Sequence, residues 1–351
     1  MLTENSANNV TLLVDFPNES EVYYIMEVWY YVHGICGTSV ALFGLIGNTI
    51  AIFVLSGKRM RSSTTLFLIV LAIFDNVLLL FVILLQTLPI ICQHDDILID
   101  YMFVREMAYM LLYPVVHICH TGTIYTTIAV TGERCIAIVK PLGARSICTR
   151  SRAGKIVIGI MVWSIFYNIP RCLENELEVV WDPMVNQSVY ITAQSTFGNS
   201  WFYNYVYLVC INCIFHFLLP FLALSLMNYF ILKTLWQRKR GILNQQRAVS
   251  LENDYRLTAV VLAMTTVFFI CQLFGATQLV ILQANGIQSS RIGKCTKPCE
   301  IFKAIAETVV IVNSAINFIL FCVFGNKFRQ MFLRCICISK QRNIIRMNTR
   351  D

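Results

Sequence analysis

Asp75 and Glu307 are carboxylates set within stretches of almost uninterrupted apolar sequence, and Asn48, Thr123, Asn313 and Asn317 are neutral polar groups in the same setting. A charge surrounded by hydrocarbon costs several kcal/mol, so each such group needs a partner or a job. If these residues face one interior space, they form a hydrated polar cluster around Asp75. If they do not, each makes its own helix-to-helix hydrogen bond. The separate-bond reading suits the amides; an ionised carboxylate needs more than one partner. Glu133 and Arg134 close another apolar stretch, where they can pair with each other, or Arg134 can snorkel to lipid phosphates. Asp254 is a second partner for that arginine. Tyr113, His117 and His120 recur at helical spacing and could share one face, although each histidine alone reads as a core residue. No Ser/His/Asp array or phosphate-binding loop is evident, and the histidines lack metal-ligand spacing, so an enzyme is the least expected class.

The stretches that carry these residues are membrane spans. Only 14% of the 351 residues are charged and 57% are hydrophobic, against about 25% charged in an ordinary soluble protein. A span needs about 20 largely apolar residues. Seven can be placed, at Tyr31–Leu55, Leu66–Ile91, Val104–Val139, Ala153–Arg171, Tyr203–Leu235, Leu257–Ala284 and Glu300–Phe324. The expected fold is an all-α membrane protein, a seven-helix bundle over residues 31–324, with a tail at 1–30 and a cytoplasmic segment at 325–351.

The net charge of +8 is concentrated in alternate connections: Lys58 to Arg61, Lys140 to Lys155, Arg238 to Arg247, and the tail from Lys327 to Arg350. Basic loops stay in the cytoplasm, which places the N-terminus outside and the C-terminus inside. Spans interrupt the basic residues too often for a nucleic-acid surface. The first 20 or so residues show no basic-then-apolar leader, so the first span is expected to act as its own signal anchor. Asn9, Asn18 and Asn186 open N-x-S/T glycosylation patterns, all on the expected outer side. The connection from Cys172 to Phe202 has the residues for a short hairpin. After Gly325, Phe328, Met331 and Phe332 share one face, as in an amphipathic helix lying on the inner membrane surface. Cys335 and Cys337 follow it, as palmitoylation candidates or as two free thiols.

The order of these features resembles the rhodopsin-like family of G-protein-coupled receptors. The resemblance rests on Gly47-Asn48, Leu71-Ala72-x-x-Asp75, Glu133-Arg134-Cys135, Trp163, Pro220, Phe268-x-x-Cys271 and Asn313-x-x-x-Asn317, and it covers nearly the whole chain. It implies that Asp75, Asn48, Thr123, Asn313 and Asn317 line a sodium and water pocket, with a sodium ion at Asp75. It implies that Ile124, Pro220 and Phe268 form a packing switch, with Gln272 at the adjoining switch position. Glu133, Arg134 and Asp254 would serve coupling to a heterotrimeric G protein, and arrestin would be a further partner beside membrane lipids. Tyr113-Pro114, Thr131-x-Glu133-Arg134, Tyr167-Asn168-Ile169-Pro170-Arg171 and Phe324-Gly325-Asn326-Lys327-Phe328-Arg329 resemble FMRFamide-type neuropeptide receptors.

Departures from the family pattern are concentrated where activation is expected. Asn317-Phe318-Ile319-Leu320-Phe321 replaces Asn-Pro-x-x-Tyr, which removes a kinking proline and a tyrosine hydroxyl. Cys271-Gln272-Leu273-Phe274 replaces Cys-Trp-x-Pro. The family disulfide is also missing: Tyr109 stands at its third-span position, and no cysteine lies between Glu174 and Tyr207. The outer cysteines are Cys92, Cys172, Cys295 and Cys299; four allow three connectivities. Loop proximity favours Cys92 with Cys172 and Cys295 with Cys299.

The third span reads Val115-Val116-His117-Ile118 where an amine receptor needs a carboxylate, and Ile311 stands where an opsin needs a lysine. The outer segments are acidic, including Glu174, Glu176, Glu178 and Asp182, and would attract a cationic ligand. An amidated peptide ending in Arg-Phe has that character, since amidation removes its own carboxylate. Glu307 is the expected partner of the ligand cation, or it bonds another helix through His117 or His120. Tyr113, His117, His120, Gln278 and Glu178 complete the expected ligand-binding set. The rival classes are a chemosensory receptor of the same fold for small molecules, and a transporter or channel, for which Asp75 and Glu307 make a poor relay.

Overall fold

Apolar side chains surround most of the long helices here, and many of the largest point away from the protein. Phe53, Leu80, Ile158, Val162, Phe166, Leu226 and Val280 are all exposed. In water such a surface would aggregate; in a bilayer it is the lipid-facing surface. The computed structural model describes residues 19–94, 99–182, 187–240, 245–284, 295–325 and 328–334. Among them are seven long helices: α1 Ser20–Leu55, α2 Ser63–His94, α3 Ile99–Val139, α4 Arg150–Leu173, α5 Phe202–Lys239, α6 Gln245–Ala284 and α7 Lys297–Ala315, which resumes as Asn317–Phe324. They begin before the expected spans, although four end as expected at Leu55, Val139, Ala284 and Phe324, because hydropathy reads only the part in lipid, whereas backbone hydrogen bonding continues past it. The first helix accordingly begins inside the segment expected to be a tail.

α3 is the central element, touching α2, α4, α5 and α6. Its 41 residues make it roughly 60 Å long. It is less apolar than its neighbours, with Thr121, Thr123, Thr126, Thr127 and Thr131 all buried. A helix surrounded by other helices needs little lipid-facing surface, and Thr127 and Thr131 return their hydroxyls to the carbonyls of Thr123 and Thr127, each at 2.9 Å. Two close approaches set its spacing and that of α1. A Cβ on Gly122 would lie 2.7 Å from the Phe74 ring, and one on Gly44 would lie 2.6 Å from Ala315. Small residues at such points let helix backbones come together where no hydrophobic force drives them.

α7 bends by 45° between its two segments, although the proline that would explain a kink is absent. The break coincides with two side-chain bonds between α7 and other helices. Asn48 of α1 donates to the Ser314 carbonyl at 3.0 Å, and Asn317 donates to Asp75 of α2 at 2.7 Å. Side-chain insertion of this kind is a recognised cause of kinks.

At one end of the bundle, β1 Asn175–Asp182 and β2 Gln187–Gln194 form an antiparallel hairpin. At the inner end, residues 328–334 are helical, with Phe328 buried against Phe321 and Phe318 while Arg329 and Gln330 are exposed. Asn9, Asn18, Asn186, Cys335 and Cys337 lie outside the described residues.

Candidate functional site

Three polar layers follow one another down the bundle. The outer one is assembled by α3, α4, α5 and the root of the hairpin. Arg171, in the turn that ends α4, donates to the Tyr113 hydroxyl at 3.1 Å and to Glu174 at 3.2 Å. Tyr203 of α5 donates to the same Glu174 carboxylate at 2.6 Å. Tyr109 stacks on Tyr113, whose other edge meets His117. Glu307 of α7 accepts from Gln278 of α6 at 3.4 Å and lies 3.8 Å from His33 of α1.

Tyr113 and His117 meet on α3 and Gln278 and Glu307 meet between α6 and α7, while His120 lies deeper. Glu178 stands apart, exposed on the hairpin, and Glu174 is the hairpin-root acid that faces inward. Glu307 accepts from Gln278 of α6, and the histidine nearest to it is His33, 3.8 Å away, in place of His117 or His120. His33 was missed because a lone histidine in the first span gives no signal in a single sequence. Arg171 and Glu174 were legible only as part of a motif string and of an acidic segment.

The expected Cys92–Cys172 bridge is not formed. Cys92 is buried, Cys172 is exposed, and both are free thiols. Hydrogen bonds tether the hairpin in its place: the Thr192 amide donates to Glu106 of α3 at 2.9 Å, and Ser195 donates to the Leu173 carbonyl at 2.5 Å. Arg105 pairs with Glu106. Cys295 and Cys299 are joined, and the bridge packs on Leu282 at the outer end of α6.

Below lies a largely enclosed layer of histidine and amide, in which Thr121 and Asn168 are buried and His120, His216 and Gln272 half-buried. Asn168 donates to the Thr121 hydroxyl at 2.8 Å, and that hydroxyl is 3.0 Å from His216 Nε2. His120 meets His216 edge-on and lies 3.5 Å from Gln272. Gln272 thus joins α6 to α3 by a polar contact at the position where the family pattern has an indole. One turn further in, Ile124 and Phe268 pack on Leu224, one helical turn after the buried Pro220.

The third layer surrounds Asp75, which is fully buried. Thr123 donates to one carboxylate oxygen at 3.0 Å and Asn317 to the other at 2.7 Å, with Ser314 a third hydrogen-bonding neighbour. Asn48 bonds the backbone beside this group, at the Ser314 carbonyl, and its own Oδ1 has no partner among the described residues. Asn313 is half-buried, one turn before Asn317. At the inner end, Ser63 of α2 donates to Glu133 and lies 3.0 Å from the Cys148 carbonyl. Burial and the nearby Glu133 carboxylate push the Cys148 thiol above its ordinary pKa. Arg134 is half-buried. Asp254 belongs to α6, and its side chain lies outside the described residues. Arg238 of α5 donates to the Ile138 carbonyl of α3 at 2.5 Å, above an apolar seal of Ile138, Ile231 and Leu235.

Residues 47–321 match the family model of the seven-transmembrane receptors of the rhodopsin family. The chain is similar to the FMRFamide receptor of Drosophila melanogaster, at 30% identity over 88% of this chain and 54% of that protein. It is similar to an FMRFamide peptide receptor of Caenorhabditis elegans, at 24% identity over 83% of this chain and 66% of that one. It is also similar to neuromedin-U receptor 1 of Mus musculus, at 24% over 88% of this chain and 74% of the mouse protein. The chain spans about half the length of the Drosophila relative and just under two thirds of the C. elegans one.

Proposed function

Because the chain belongs to the rhodopsin family of seven-transmembrane receptors, we propose that it is a G-protein-coupled receptor for an amidated, cationic peptide of the Arg-Phe-amide kind. The observation that carries this reading is Glu307. Its side chain is 24% exposed within a layer that also presents Tyr109, Tyr113 and His117. A guanidinium pairs with the carboxylate, and the aromatic rings suit the neighbouring phenylalanine and the guanidinium face. The similarity to two proteins named as FMRFamide receptors supports the same ligand class. Glu307→Gln is expected to reduce the potency of such a peptide tenfold or more, about 1.4 kcal/mol. Unchanged potency at normal surface expression removes Glu307 from the site.

Signalling is a shift between two helix arrangements that the ligand binds unequally. Occupancy of the outer layer would be passed through His120 and Gln272 to the Ile124, Leu224 and Phe268 cluster, and would open the inner ends of α5 and α6. Glu133, Arg134 and Asp254 would then meet a heterotrimeric G protein, and later arrestin. The basic inner loops support an outside N-terminus, with Asn9, Asn18 and Asn186 as glycosylation sites and Cys335 and Cys337 as palmitoylation sites.

The residues around Asp75 fit a sodium ion. One carboxylate is set among the hydroxyls of Thr123 and Ser314 and the donating amide of Asn317, with the unpartnered Asn48 Oδ1 close by. Hard cations favour oxygen donors of this kind. Bound there, the ion would neutralise Asp75 and hold the arrangement seen here.

A further inference from the structure

The environment of His33 determines which of its ring nitrogens carries the proton. The Thr308 hydroxyl lies 2.8 Å from the Ala304 carbonyl and 3.3 Å from that of Val32. It has one proton, and that proton goes to a carbonyl. The 3.2 Å contact between Thr308 Oγ1 and His33 Nδ1 therefore runs the other way, with the ring donating. A neutral ring that donates from Nδ1 keeps a lone pair on Nε2. That atom has no hydrogen-bond partner among the described residues, and the residue is 1% exposed. An unmet buried acceptor costs free energy. Nε2 points at Glu307 Oε2, 3.8 Å away, so two acceptors face each other.

Neighbouring groups hold the ring in this position. Trp29 packs edge-on against it, and Trp29 is fixed in turn by its indole N–H donating to Glu300 at 3.2 Å. Lys303, one turn from Glu307, pairs with Glu300 at 3.5 Å and lies over the Trp29 ring. On the other side of Glu307, Gln278 already donates to Oε1. The Oε2 side is thus bounded by His33.

We propose that His33 Nε2 and Glu307 Oε2 form a joint seat for one cationic, multiply donating group of the ligand, a guanidinium, which enters from the exposed Glu307 side and reaches the covered Nε2 as the ends of α1 and α7 part. The carboxylate supplies the charge and the imidazole a neutral second acceptor. A planar guanidinium fork suits two acceptors fixed at different angles better than an ammonium does. This rests on the reading of the protein as a receptor for a cationic peptide, and it adds a binding residue from α1.

The test uses the full chain in cell membranes and two fluorescent amidated tetrapeptides, one ending in Arg-Phe-amide and one with norleucine in place of the arginine. His33→Phe keeps a ring against Trp29 and removes the acceptor. It is expected to weaken the arginine peptide about tenfold and the norleucine peptide less than about twofold, the non-additivity that marks a direct contact. Equal losses for both peptides, or no loss for either, overturn the proposal. If His33→Phe does not reach the surface, His33→Met is read by the same difference. Glu307→Gln serves as the reference. Arginine preference abolished by Glu307→Gln but intact in His33→Phe overturns the joint seat and leaves the receptor reading standing. No saturable binding of the arginine peptide to the unaltered chain overturns both.

Discussion

At the residue scale, the structure separates polar groups that a sequence presents alike. Asp75 and Glu307 are both carboxylates within apolar spans, yet Asp75 has hydrogen-bond donors on both oxygens and no exposure, while Glu307 is partly open and has only long contacts to Gln278 and His33. The first suits an internal ion and the second an external ligand. Asp75→Asn keeps most of the hydrogen-bonding shape and removes the charge, so agonist binding is expected to lose its dependence on sodium concentration. A sodium titration of peptide affinity checks this; an unchanged sodium effect in the variant excludes Asp75 as the ion's seat. The cysteines divide in the same way. Cys92→Ser and Cys172→Ser are expected to leave surface expression near that of the parent, because both thiols are free, whereas Cys295→Ser opens the bridge to Cys299 and lowers it. Surface labelling of the three variants decides, and a severe loss in Cys172→Ser contradicts the assignment. Asp75, Thr123 and Asn317 could be grouped from sequence because a charge in lipid demands company. His33 could not: its significance lies in which nitrogen is left without a partner, and that depends on Thr308, which is 275 residues away.

At the scale of elements, apolar length located all seven helices and the ends at Leu55, Val139, Ala284 and Phe324, but not where the helices begin, and not the bend in α7. The missing proline argued for a straight helix, yet the 45° break persists where Asn48 of α1 bonds the Ser314 carbonyl and Asn317 of α7 reaches out to Asp75 of α2. Local rules describe a helix alone; this bend is made by two others. Helix packing was hidden for the same reason, since a glycine in a span signals little until its neighbour is known. Gly122→Leu would drive a side chain into the Phe74 ring, 2.7 Å from where its Cβ must lie. It is expected to destabilise by about 1–3 kcal/mol or more through overpacking, read as a lower thermal midpoint in detergent. Gly159, with nothing within 4 Å, is the control, and Gly159→Leu is expected to be nearly neutral. Equal effects from the two would contradict the packing described.

At the scale of the whole molecule, the three polar layers are stacked along α3 and end at a closed inner face. Phe67, Val130 and Val261 seal α6 against α2 and α3, while Arg238 links α5 to α3. Phe67→Ala thins the seal without touching the outer layer, so it is expected to raise ligand-independent signalling several-fold. An unchanged basal level at equal surface expression would mean that this contact does not hold the closed state. The sequence carried the bundle through apolar length, but it left the hairpin's tether unseen, because Glu106 and Thr192 are ordinary residues until the fold brings them to 2.9 Å. The account as a whole requires that a cationic amidated peptide arriving from outside changes the inner face. Guanine-nucleotide exchange on G protein is the direct measurement, in membranes carrying the full chain with an amidated Arg-Phe peptide added to the outer side. The expected result is saturable exchange in the unaltered chain, with at least about a tenfold rightward shift in Glu307→Gln. A correctly expressed chain that gives no exchange at any peptide concentration, or a Glu307→Gln curve that overlays the parent, contradicts it.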